Sequence, residues 1–160
     1  MTILINIEDA IVTRLTQGLG RMARGVSHYR GELESISQAE VTDRFPIVWV
    51  SFAGATKTEP YGTSRQQTKT TGQFSIIVAD HDAQPGGTAS VGTYPLIYGV
   101  RRLLSKQDLG QPIDPLRPGI VRRLHDMRCD GKAFSAYVCR FQTAWIETAL
   151  DNQHWPCPQN

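Results

Sequence analysis

Four histidines, His28, His81, His125 and His154, and three cysteines, Cys129, Cys139 and Cys157, are the side chains best suited to chemistry near neutral pH. Their neighbours decide whether the chain carries a reactive centre. Asp80-His81-Asp82 sets metal-ligand types side by side, but adjacent residues at a strand end point in different directions and cannot alone cage an ion. That cluster reads as a surface turn. His125-Asp126 falls in an expected strand and lacks a second set of His and Asp to complete a site. No GxSxG elbow, GxxxxGK[ST] loop or GxGxxG turn is present, and Gly18-Leu19-Gly20 stands at a helix end with no strand before it. Cys139, between Val138 and Arg140 on a core-like strand, reads as a small packed hydrophobe. The expectation is therefore no catalytic residue, no cofactor and no metal.

The odd cysteine count without a CxxC spacing argues against a disulfide framework and a structural zinc site, and implies reduced thiols and assembly in a cytoplasm. Seventeen Lys plus Arg against fifteen Asp plus Glu leave a formal charge of +2, too little for a nucleic-acid footprint. The pairs Arg101-Arg102 and Arg122-Arg123 read as solvated faces or subunit ion pairs. MTILINIEDA has no basic n-region and is neither a signal peptide nor an anchor, and no apolar run approaches the roughly 20 residues of a membrane helix. With 160 residues, 40% of them hydrophobic, one domain over residues 1–150 is expected, followed by a proline-containing tail over 151–160.

The elements that would hold these residues follow from periodicity. Ile7, Ala10, Ile11 and Leu15 recur at helical spacing, with Asn6 as N-cap and Gly18 and Gly20 as the stop. Leu33, Ile36 and Val41 allow a short helical turn in the weakly patterned stretch from Arg21 to Arg44. Ile47 to Phe52, opened by Pro46 and closed by Ala53-Gly54, reads as a central strand buried on both faces. Thr93 can cap a second helix whose Leu96, Ile97, Val100, Leu103 and Leu104 share a face. Asp108 to Gly119, with three prolines, reads as a connector. Ile120–Arg128 and Ala133–Ile146 flank Asp130-Gly131, a hairpin turn, with Tyr137, Cys139, Phe141 and Trp145 on one face and Phe134, Ala136 and Val138 on the other. The fold class is α/β of the α+β kind: a mixed or antiparallel sheet packed by two main helices.

Thr63 to Gly72 is rich in Thr and Gln, whereas Phe74, Ile76 and Val78 belong to a core strand. One strand from Ser64 to Ala79 would span roughly 53 Å at about 3.3 Å per residue, against a radius of gyration near 15 Å for a compact chain of this length. Two readings stand. Either the polar half, with its partner across Glu59-Pro60-Tyr61-Gly62, is a protruding β-hairpin arm that meets a neighbour, or the chain bends at Gly72 into a solvated loop. On the first, Tyr61, Arg65, Gln66, Gln67, Thr68, Lys69 and Thr70 are the candidate subunit or tube contacts. Tyr61 and Trp155 are aromatics of the type enriched at interfaces, or else they cover the domain's own surface.

Five stretches carry a family resemblance: Ile7-Glu8-Asp9-Ala10-Ile11, Arg44 to Gly54, Glu59 to Gln66, Val91-Gly92-Thr93-Tyr94, and the proline-rich Gln107 to Gly119. From Ile7 to about Leu150 the chain resembles the neck protein of Mu-like phages and prophages that acts as tail terminator. The resemblance implies a non-enzymatic virion protein that forms a hexameric ring with its own copies, caps the head-proximal end of the tail tube and stops its growth. Its implied partners are the tail tube protein, a sheath where the tail has one, and the head-tail connector or stopper. DNA would pass through the channel without specific binding, and no membrane is involved. Three other readings compete: a head-side neck adaptor or stopper, a small host-directed enzyme, and a nucleic-acid-binding module. The absent constellation weighs against the second and the near-neutral charge against the third.

Overall fold

A computed structural model of the chain describes residues 3–35, 44–63, 65–81, 92–129 and 132–149. Asp130-Gly131, Trp155 and the tail over 151–160 lie outside them. Five strands make one sheet in the order β1-β2-β3-β5-β4: β1 Gly25–His28, β2 Ile47–Pro60, β3 Gln67–His81, β4 Arg117–Cys129 and β5 Lys132–Thr148. β1 runs parallel to β2 and every other pairing is antiparallel. With α1 Ile3–Leu19, the short α2 Glu32–Ser35 and α3 Thr93–Leu104, this is an α+β fold with a mixed sheet, as expected.

Alternation on the strands and a 3.6-residue period on the helices meet in one core. Ile7, Ile11 and Leu15 of α1 and Leu96, Val100 and Leu104 of α3 are fully buried against Val48, Val50, Phe74, Ile76, Val78, Cys139 and Phe141. Each buried aliphatic chain contributes about 1.5–3 kcal/mol of transfer free energy. The opposite face has its own apolar cluster, where Ile47, Trp49, Ile77, Phe134 and Val138 pack with Tyr29 and Leu33. β2 and β3 are thus apolar on both faces at this end, which explains the unbroken run from Ile47 to Val50.

Several boundaries differ from the sequence reading. α1 starts at Ile3, so Asn6 lies inside the helix and caps nothing. Gly18 is helical too; a Cβ there would lie 2.4 Å from a methyl of Leu103, so this glycine lets α1 approach α3, and only Gly20, at φ 55°, ends the helix. Thr93 is buried as the first residue of α3 and Gly92 is the N-cap. β1 was not anticipated: four residues with one β-branched side chain leave almost no pattern. β2 does not stop at Ala53-Gly54, since Gly54 takes φ 123° in a register shift and the strand continues to Pro60. β2 is an interior strand as read, between β1 and β3, and β3 is the middle one of the five.

β3 also decides between the two readings of its polar half. It passes Gly72 as one continuous strand in unbroken register with β5, and an added Cβ there would sit 2.5 Å from the Trp145 ring and 3.2 Å from Phe52. Gly72 is a site of close approach, not of a turn. The proline-rich connector behaves as read: Lys106 and Gln107 exchange backbone bonds with Leu116, whose side chain is buried, and Pro118 lies on the edge strand.

Candidate functional site

The hairpin of β2 and β3 carries every candidate contact residue. Its register runs from Ile47↔Ala79 to Pro60↔Thr68, and β5 follows β3 to the same end, pairing Thr148 with Gln67. The body covers these strands as far as Thr70 and Trp145, both buried, and the stretch from Lys69 to Gln67, roughly 7 Å at about 3.3 Å per residue, extends beyond them. The arm is therefore three strands wide, and this width was not legible from the hairpin alone. β3 is its middle strand, so the backbone of Gln67 to Thr70 is already paired on both sides. These residues can meet a neighbour through side chains but cannot accept an added strand there.

The candidates divide accordingly. Tyr61 is 46% exposed at the turn, where its N–H donates to the Gln67 carbonyl at 3.0 Å. Arg65 and Gln66 are exposed beside it, and the Gln66 carbonyl accepts from Ala149 N–H at 2.7 Å. Gln67 and Thr68 are half-buried, and Lys69 is ion-paired to Asp114 at 3.0 Å. Thr70 is only 5% exposed and its hydroxyl has no hydrogen-bond partner among the described residues, so it belongs to the interior and is withdrawn as a contact residue. Deleting Gln66 to Thr70 would remove the end of the central strand and its pairing with two neighbours.

The residues examined for chemistry are brought together only in structural roles. His28 Nδ1 lies 2.9 Å from Glu8 Oε2 and its Nε2 lies 2.9 Å from Asp9 Oδ1. The carboxylates bond different ring nitrogens and do not converge on one point, while Glu8 Oε1 accepts from Phe52 N–H at 3.0 Å. Together they fasten α1 to β1 and β2. Asp80 and His81 end β3 and do not form the expected surface turn: Asp80 is buried and accepts from His81 N–H at 2.8 Å and Gly92 N–H at 2.9 Å, pinning both ends of the segment between them. The His81 ring stands edge-on to Phe45 at 5.1 Å. The side chains of His125 and Asp126 lie outside the described residues.

Cys139 is fully buried, and burial pushes its thiol up to about 11 despite the opposing Arg101 charge. A thiol so protonated is a poor nucleophile. Arg101 donates to the Gly119 carbonyl at 3.1 Å, Arg102 lies over the Tyr98 ring, and Arg123 lies over the Tyr137 ring and donates to Ser135 Oγ. Arg122 instead lines a cleft of about 320 Å³ on the face away from the helices, with Arg117 and Arg140. Sequence reasoning missed this cleft because its three arginines are separated in the chain and are gathered by the β4–β5 register. Among the described residues no group of three His, Cys, Asp or Glu side chains could hold a metal ion, and no helix is long and apolar enough to cross a membrane.

No curated protein is a significant match to the chain. A family model described as Bacteriophage Mu, Gp37 matches residues 3–146, which take in the three helices, β1 to β4, the hairpin tip and β5 as far as Ile146. The chain therefore belongs to the Bacteriophage Mu Gp37 family and is a bacteriophage structural protein.

Proposed function

We propose that this protein is a tail terminator, a non-enzymatic virion component whose copies close into a hexameric ring on the head-proximal end of the tail tube. The ring stops tube growth and offers its other side to the head-tail connector. The observation that carries this reading is the shared end of β2, β3 and β5 beyond buried Thr70, which carries exposed Tyr61, Arg65 and Gln66. A ring built from one kind of chain needs a head-to-tail contact between two different surfaces. A stiff three-stranded projection is suited to supply one of them, because its shape is fixed before assembly and little ordering entropy is lost on contact.

The ring's partners on this reading are a second copy of the chain, the tail tube protein, a sheath in a contractile tail, and the connector. Quantitative mass spectrometry of purified particles tests it. A copy number equal to one small ring per particle, with the chain immunolabelled at the junction of head and tail, is the expected result. A copy number that scales with tail length would make it a tube or sheath subunit instead.

A further inference from the structure

One flank of α3 carries aromatic and cationic side chains that the fold leaves uncovered. Tyr94, Tyr98 and Arg102 recur every four residues and so lie along one stripe of the helix. Tyr94 is 71% exposed and Tyr98 65%, so most of both side chains stands in water. The Arg102 guanidinium lies 5.6 Å over the centre of the Tyr98 ring, and Arg101 and Ser105 complete a hollow of about 480 Å³ beside it. Towards the sheet, Tyr94 meets Tyr137 of β5 edge-on at 6.1 Å, and Arg123 of β4 lies over the Tyr137 ring at 5.8 Å. The charge here is of one sign. α3 has no Asp or Glu, and β4 has none from Arg117 to Leu124. Asp108, the first acid after α3, lines the groove against α1 instead and accepts from Gly110 N–H at 3.0 Å.

We propose that this flank docks an acidic segment of another virion protein, with Asp or Glu against Arg101 and Arg102 and an apolar side chain in the hollow beside Tyr98. The proposal rests on the chain being a phage structural protein and not on the ring reading. Tyr and Arg are the side chains enriched at the energetic centres of protein interfaces, because both offer large contact area. A guanidinium stacked on a ring keeps its N–H edge for a carboxylate, and Arg101 is held in place by the Gly119 carbonyl at 3.1 Å. A surface of one sign draws the opposite sign and repels its own. A second copy of this chain is a poor source of that acid, since its described carboxylates are engaged at home: Glu8 and Asp9 with His28, Glu59 with Lys57, and Asp114 with Lys69. A DNA duplex presents phosphates and keeps its base faces stacked inside, so it would leave both tyrosine rings in water.

The test replaces Tyr98 with photoreactive p-benzoylphenylalanine, irradiates purified particles and sequences the cross-linked peptide by mass spectrometry. The expected adduct lies on a different virion protein, in a segment with more Asp and Glu than Lys and Arg and with an apolar residue at the attachment point. An adduct confined to DNA, to a second copy of this chain or to a basic segment overturns the proposal, as does the absence of any adduct. Should the photoreactive chain fail to enter particles, Arg102 decides. Arg102→Glu should lower particle titre by about tenfold or more, since like charges then meet at the contact, while Arg102→Lys, which keeps the charge, should stay within about threefold. Equal titres for Arg102→Glu and the unsubstituted chain, or equal losses for the Glu and Lys variants, would overturn it.

Discussion

Cys139 and Gly72 show how much a single position is constrained by what lies over it. The Cys139 thiol is buried under the helices and its folded-state pKa is raised to about 11 from an ordinary value of 9.0. The protonated form is the one the fold stabilises, so this contribution is complete below pH 9 and is lost as pH rises through 11. Denaturation at several pH values should show stability falling across that window, and falling less in Cys139→Ala. Peptide mapping after alkylation at pH 8 should find Cys139 unmodified in the native protein; modification at the rate of a free thiol would contradict its burial. Gly72→Ala should destabilise the fold by about 1–3 kcal/mol, because a Cβ 2.5 Å from the Trp145 ring forces the ring or the strand to move. Gly25→Ala, with nothing within 4 Å of the new carbon, is the control and should change little. Urea midpoints that are equal for the two variants would refute this account of Gly72. The packing of Cys139 was visible in sequence through the alternation around it, whereas the close approach at Gly72, where a bend was one of two readings, was not.

Elements were legible where their period was clean and illegible where tertiary contacts set their limits. The faces of β5 follow alternation alone: Cys139, Phe141 and Trp145 meet the helices, and Phe134, Ala136 and Val138 meet the other cluster. The buried stripe of α3 likewise follows from Leu96, Val100 and Leu104. The start of α1, the existence of β1 and the length of β2 depend on packing partners far along the chain, such as the Glu8 carboxylate that accepts from Phe52 N–H, and no local pattern announces them. The arm expected for the threonine-rich half of β3 had no third strand, because β5 reaches Thr148 only through a register fixed at the far end of the sheet. That third strand has a measurable consequence. Amides of Lys69 to Thr71 should be protected from hydrogen exchange nearly as well as those of Ile76 to Val78, since both stretches are paired on two sides. Exchange as fast as a frayed terminus would mean the projection is a mobile hairpin. Within the core, Ile11→Ala should cost about 2–5 kcal/mol, whereas Ile5→Ala on the exposed side of the same helix should stay within about 0.5 kcal/mol.

At the scale of the whole molecule, the sheet differs at its two ends: near Phe45 and Phe134 it is apolar on both faces and holds the fold together, and near Pro60 it is polar and exposed. A formal charge of +2 gives no reason for the chain to hold DNA by itself. The family was legible in the sequence, above all through the proline-rich connector, whereas the arginine cleft exists only once β4 and β5 are in register. Electron microscopy of lysates from a phage lacking this gene tests the central claim most directly. The terminator reading predicts tail tubes of uncontrolled, excessive length alongside heads without tails. Free tails of normal length would contradict it and move the protein to the head side of the neck, and fully assembled particles would contradict a role in the junction altogether.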